Sequence, residues 1–261
     1  MPRYVPISRT NHAGKTWMRA QSYGFASRTP VAPIVGLELA TAAVNMPLGF
    51  VRQGENFHLS ALLSFRADNN LFVGPDGRWI SSYTPAIFRS YPFRLLRPEG
   101  SEQMVVCVDE ESDLIHDGDG GEAFFGEDGK PSEQVTQVAD FLQQLEASRL
   151  ATDIAVKALA QAELIVPWEI RIKGSEGGEL PVNGFFRVDE TKLNALDEQS
   201  YLGLRKAGAI GLAYGQIVSM SRLEMLGRLA EHHENVVKAR QQARPLPELN
   251  ELFANDDKLM F

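Results

Sequence analysis

The chain has 261 residues, a formal net charge of −8 and a composition that is 44% hydrophobic. Those values exclude collagen-like, disordered and coiled-coil chains and leave room for one large domain with a sizeable core. The charge is uneven: from Glu99 to Glu133 twelve acidic residues stand against Lys130 alone, a local net of −11 that leaves +3 for the rest. The first 37 residues hold five Arg or Lys and no acid.

Residues 1–30 are polar and punctuated by proline, with Tyr4 to Ile7 and Trp17-Met18 as short edge pieces. The apolar spacing from Val31 to Val44 predicts a helix, with Pro33 in its first turn where a missing N–H is harmless. Short strands are expected at 48–51, 58–66 and 70–73, and Gly74-Pro-Asp-Gly77 reads as a tight turn before Arg78-Trp79-Ile80. A short helix from Ala86 to Ser90 stops at Pro92. Residues 93–96 and 104–108 then read as an antiparallel pair turned at Pro98 to Ser101.

Asp109 to Pro131 reads as a solvated acidic connector, because like charges repel within so dense a run unless a cation or basic partner is present; a fold-back onto the basic N-terminus, where the two would satisfy each other, is the alternative. Ser132 caps a helix over about 133–164. Trp168 to Ile172 and Phe185 to Val188 alternate, and Lys173 to Gly178 between them marks a hairpin. Asp189 and Asp197 cap two short helices, Gly208 closes the second, and a last helix is expected over about 209–242. The expected class is α+β: a first half rich in antiparallel sheet, then long packed helices and a β-hairpin. One domain over residues 1–243 and a polar tail over 244–261 are expected. No stretch has the length of a signal-peptide core or the roughly 20 apolar residues of a membrane span, so a cytoplasmic protein is expected.

The chemistry-bearing motifs are mostly incomplete. Cys107, the single cysteine, sits in a buried strand pattern and reads as a structural thiol. The acidic run fails as an EF-hand loop from Asp117, because Gly121 and Glu122 stand where an acid and a glycine are needed. Gly118, two residues after His116, breaks the spacing of an iron facial triad. His232 and His233 are adjacent, the wrong spacing for a helical metal pair, and His58 reads as a strand residue. Ala13-Gly-Lys-Thr16 resembles the end of a phosphate loop, but Arg9 stands where its first glycine belongs. No G-x-S-x-G and no strand-borne G-x-G-x-x-G is present. Dispersed positive residues argue against nucleic acid. No metal and no cofactor is expected.

Two constellations remain. Arg78, Trp79, Tyr83, Phe88, Arg89, Tyr91, Phe93 and Arg94 form either an anion or partner site or core aromatics alternating with surface arginines. Glu38 on an otherwise apolar helix is a candidate general base, with His12 and Arg89 to bind or polarise a substrate. Trp17, Trp79, Tyr83 and Tyr91 are the candidate ligand-binding side chains. A protein partner or a small-molecule ligand is the expected kind of binding target.

Taken in order, several segments resemble the SapC family of bacterial proteins. They are His12 with Trp17; Tyr23-Gly-Phe-Ala26; Val31 to Val51 with Glu38 and Pro47-Leu-Gly-Phe50; and Asn70 to Trp79. Tyr83, Pro85, Arg89-Ser-Tyr-Pro-Phe93, Val106 to Glu110, Ala123 to Gly129 and Gly184 to Glu190 with Leu193 continue the set. The resemblance spans about residues 4–230 and implies one continuous unit. It also implies an accessory or binding role near surface-layer protein export or envelope nutrient uptake, and it supplies no catalytic mechanism. An enzyme built on Glu38, His12 and Arg89 is the alternative.

Overall fold

The computed structural model describes residues 2–98, 103–173 and 179–242. The chain opens with β1 (Tyr4–Pro6), a single helical turn α1 (Arg9–His12) and β2 (Lys15–Trp17). The stretch read as one helix from Val31 divides. Val31–Pro33 forms β3, Gly36–Glu38 a 3₁₀ turn and Leu39–Asn45 the helix α2. Pro33 is tolerated in β3 because that strand lies at the edge of its sheet, where no ladder bond is lost.

Strands β4 (Leu48–Gln53) and β5 (Asn56–Leu62) form a hairpin, and α3 (Ala86–Arg89) precedes the antiparallel pair β6 (Phe93–Leu96) and β7 (Val105–Asp109). The connection expected at Pro98 to Ser101 falls largely outside the described residues. Residues 70–73 are not a strand. Leu71 and Phe72 are buried in a loop. Asn70 holds that loop by donating to Ala26 O and accepting from Phe72 N–H, so a side chain does the work of a ladder.

The acidic connector is not a solvated loop but folds back on the basic N-terminal segment. It supplies β8 (Ile115–Asp117) and β9 (Glu122–Ala123), which flank β2 in a sheet of order β8-β2-β9. Its charge is met by the basic N-terminal segment: Arg3 pairs with Glu110 at 2.7 Å and Arg19 with Glu122 at 3.6 Å.

Ser132 accepts from Val135 N–H and starts the long α4 (Glu133–Gln161). Strands β10 (Ile165–Pro167), β11 (Ile170–Lys173), β12 (Glu179–Val182) and β13 (Phe185–Val188) follow. The hairpin forms between β11 and β12, and residues 174–178 of its connection lie outside the described residues. β13, expected opposite β11, instead pairs with β10 and β4. It completes a five-stranded sheet of order β10-β13-β4-β5-β3. Asp189 and Asp197 cap α5 (Glu190–Asn194) and α6 (Glu198–Lys206). Gly208, at φ 73°, turns the chain into α7 (Ala209–Ser219) in a left-handed conformation that favours glycine. The last helix is not continuous. A 3₁₀ turn at Met220–Arg222 separates α7 from α8 (Leu223–Gln242), and the expected tail over 244–261 lies outside the described residues.

Two apolar cores result among the described residues. The main one gathers Leu48, Phe50, Leu62 and Phe72 with Leu159 and Leu212. The second joins Trp17, Phe93, Val108 and Phe124 with Val135 and Leu142. Helix α4 belongs to both, its first half to the second core and its last turns to the main one. The chain is therefore α+β, antiparallel sheet first and long helices later.

Candidate functional site

The catalytic candidates separate. Glu38 is buried at the junction of its 3₁₀ turn and α2. Its Oε1 accepts from the Tyr83 hydroxyl at 2.7 Å and from Ala86 N–H at 2.6 Å, and its Oε2 accepts from Val35 N–H at 3.3 Å. Three donors on one carboxylate are what a structural clamp needs. Arg89 joins the same group. Its Nη2 donates to the Tyr83 hydroxyl at 3.4 Å, its Nε donates to Thr84 O at 3.0 Å, and its guanidinium lies over the rings of Tyr83 and Phe141. Burial first, then the Glu38 carboxylate, push the Tyr83 hydroxyl up to about 12, while Arg89 pulls it down. Trp79 donates to Tyr83 O at 2.6 Å and stacks on Phe72, so it is tied to the main core.

His12 lies elsewhere. It is fully buried against Phe124 of the second core, 5.0 Å between ring centroids. Its Nδ1 lies 3.2 Å from both Ser8 N and Ser8 O, and its Nε2, 3.4 Å from Glu110 Oε1, is buried without a hydrogen-bond partner. Burial holds its pKa below the usual histidine value, with the Ser8 carbonyl and Glu110 opposing and Lys15 adding to the drop. Cys107 is buried, and burial raises its thiol pKa, as suits an unreactive side chain. Among the described residues no three His, Cys, Asp or Glu side chains gather as a metal-ligand set.

Open space lies at two adjoining clefts. The first, about 800 Å³, is bounded by Trp17, Arg19, Phe25, Tyr91, Asp113 and Glu122. The second, about 570 Å³, is bounded by Tyr4, Phe25, Phe88, Tyr91, Arg94 and Asp109. Phe25 and Tyr91 face both and stack on each other at 3.9 Å, 18° from parallel, so this pair is the wall between them. Tyr91 is held from below by Asp109, whose Oδ2 accepts from its hydroxyl at 3.4 Å. Asp109 is buried and also accepts from Arg3 N–H at 2.8 Å. In the second cleft Arg94 lies over the Tyr4 ring at 4.8 Å.

The floor of the first cleft comes from β2 and β9. Trp17 and Glu122 are direct partners across those strands, so their side chains leave the same face. The close pairing depends on Gly121. A β-carbon there would come within 2.6 Å of the Trp17 carbonyl oxygen, and backbone cannot move aside as a side chain can. Trp17 Nε1 and Glu122 Oε2 are both buried without a hydrogen-bond partner. Buried polar groups are nearly always paired, so both are exceptions, and neither atom is open to the cleft.

Of the residues singled out from sequence, Trp17 and Tyr91 line the first cleft and Phe88, Tyr91, Phe93 and Arg94 the second; Glu38, Tyr83 and Arg89 form a separate clamp; Trp79 and His12 pack into the two cores. Sequence reasoning missed Phe25 and Glu122 as site residues. Phe25 lies in the Tyr23-Gly-Phe-Ala26 piece, where nothing local marks its partner Tyr91. Glu122 was one acid among twelve, and only the pairing with β2 singles it out.

A family model described as SapC matches residues 7–226. No curated protein and no solved structure matches the chain.

Proposed function

The chain belongs to the SapC family, and from that membership and the geometry above we propose that it is an accessory protein that binds a small ligand at the Phe25–Tyr91 clefts. The stacked pair carries this reading. It offers two aromatic faces to open space, while the Glu38 carboxylate is hydrogen-bonded inside the fold and His12 is buried against Phe124. Aromatic walls with a few polar groups are the usual make-up of a ligand pocket. We place its work in the cytoplasm, in support of surface-protein export or envelope nutrient uptake, as the resemblance to relatives at such loci suggests. No helix among the described residues is long and apolar enough to cross a membrane.

The test is native mass spectrometry of the full chain purified from its host. A bound small molecule is expected, released on denaturation and lost from Phe25→Ala and Tyr91→Ala variants. Saturable turnover of a small substrate, abolished by Glu38→Gln or His12→Gln in folded protein, would overturn the reading in favour of an enzyme.

A further inference from the structure

Two stretches of the chain carry almost no charge. Between Arg28 and Arg52 the only charged residue is Glu38, which is buried in its clamp, and between Lys206 and Arg222 there is none. In a chain that is 23% charged, these stretches form the 3₁₀ turn with α2 and the helix α7. The two helices pack on each other, with Leu39 of α2 against Gly215 of α7. Ala42 and Ala43 of one and Leu212 and Ala213 of the other enter the same main core, so their outer faces point away from it together.

A helix that is apolar all round normally lies in an interior. Yet α7 turns its polar Gln216 inward and leaves Val218 61% and Tyr214 39% exposed. The outer side of α2 matches it. Leu37, on the 3₁₀ turn, is 71% exposed and Val44 53%. Asn45 Oδ1 accepts from the Ser81 and Ser82 hydroxyls at 2.9 and 2.7 Å, which brings Ile80, 53% exposed, to the end of that helix.

These five side chains leave on the order of 500 Å² of apolar surface uncovered, at the upper end for the largest patch of a monomer. A stable homodimer buries about 800 Å² per partner, roughly 65% of it apolar, which is the same area. Depletion of charge marks the centre of such an interface. The occupant has to be as uncharged as the face. The chain's own residues 243–261 carry Glu248, Glu251, Asp256 and Asp257 against Arg244 and Lys258, and the face offers them no counter-charge. A second copy brings the same uncharged side chains. A two-fold axis then sets the face against itself without like-charge repulsion, despite the net charge of −8.

We propose that the outer face of α2 and α7 is a homodimer interface, with Leu37, Val44, Ile80, Tyr214 and Val218 at its centre. The inference goes beyond the ligand-binding reading and does not rest on it, since none of these residues lines either cleft.

The experiment is sedimentation velocity of the full chain between about 1 and 100 µM, where dimers are expected to form. Leu37→Glu and Val218→Glu are each expected to weaken self-association about tenfold or more, because the symmetry brings the new charges into one interface. Met18→Glu, at a 39% exposed residue beside Trp17 of the second core, is expected to leave it unchanged. Thermal melts identify any variant that fails to fold, and Val44→Glu takes its place. Weakening by either folded variant, with Met18→Glu unaffected, supports the interface. A chain that stays monomeric up to about 100 µM overturns it. So does a dimer unchanged by both variants, or one weakened as much by Met18→Glu. If the full chain dimerises only when it carries Leu249→Asp and Phe253→Asp, the face belongs to its own last residues and the proposal is likewise overturned.

Discussion

The Tyr83 hydroxyl donates to Glu38 Oε1 at 2.7 Å and joins the start of α2 to the residues just before α3. The same carboxylate accepts from Ala86 N–H and Val35 N–H. Glu38→Gln turns one acceptor oxygen into an amide NH2 that faces a donor. It is expected to cost about 2–3 kcal/mol, against about 1 kcal/mol for Tyr83→Phe, which leaves both backbone donors satisfied. Urea unfolding of the three proteins checks this, and equal midpoints for wild type and Glu38→Gln would refute the clamp.

The same pair predicts a limit at high pH. The unfolded Tyr83 hydroxyl ionises near 10, and the folded one is pushed up to about 12. A raised phenol pKa favours the neutral form in the fold. Its contribution is full below about pH 10 and is lost as pH rises towards about 12. Tyr83→Phe is expected to flatten the fall in stability over that window, read from urea midpoints at several pH values. Burial also raises Tyr4 and Tyr91, so the difference between wild type and variant is the quantity to follow.

His12 predicts a limit on the acid side. Burial lowers its pKa, so the fold favours the neutral ring. That contribution is full above about pH 6.5 and fades as pH falls towards the folded value. Glu110 opposes the shift and Lys15 adds to it, so removal of the imidazole is the decisive change. His12→Gln is expected to melt with less dependence on pH between about 7 and 5 than wild type. An unchanged slope would show that His12 does not carry it.

What was legible in the sequence was local. Ser132, Asp189 and Asp197 announce helix starts because each cap side chain accepts from an N–H three residues on. The pairing of β6 with β7 follows from two apolar runs close in the chain. What was not legible depends on distant partners. Lys15 to Trp17 becomes the centre of a sheet only because β8 and β9 arrive from about a hundred residues away. Like-charge repulsion within the acidic run favours a solvated reading, and only the fold shows that Arg3, Lys15 and Arg19 reach it from the far end of that separation. The site shares this character. Trp17 and Tyr91 are conspicuous by type, whereas Phe25 and Glu122 matter only through what they oppose.

Gln216 is another such residue, an apparent polar interruption of an apolar helix. It is fully buried, accepts from Val188 N–H at 2.9 Å and donates to Leu48 O at 3.0 Å. Ser219, on the same helix, accepts from Leu48 N–H at 3.0 Å. Together they dock α7 onto the ends of β4 and β13, where the strand ladder leaves these groups unpaired. Gln216→Leu keeps the apolar volume but strands a buried N–H and a buried carbonyl. A loss of about 2–4 kcal/mol is expected in urea unfolding, despite the gain in hydrophobicity. A stabilised variant would refute the docking role.

Helix α7 also carries two glycines that should respond in opposite directions. Alanine is intrinsically about 1 kcal/mol better than glycine inside a helix. At Gly211 an added β-carbon meets nothing within 4 Å, so Gly211→Ala is expected to raise stability by about 0.5–1 kcal/mol. At Gly215 the same β-carbon would lie 2.8 Å from both Cγ and Cδ1 of Leu39, on the helix α2 that packs against α7. The contact involves the branch point of the leucine as well as its tip, so relief requires α2 and α7 to separate or Leu39 to leave its rotamer. Overpacking of that kind costs about 1–3 kcal/mol and outweighs the propensity gain. Gly215→Ala is therefore expected to unfold at lower urea than wild type, and Gly211→Ala at higher. Because both substitutions add the same methyl to the same helix, the sign of their difference isolates the α2–α7 contact; a matching gain at both positions would show that the two helices do not approach this closely.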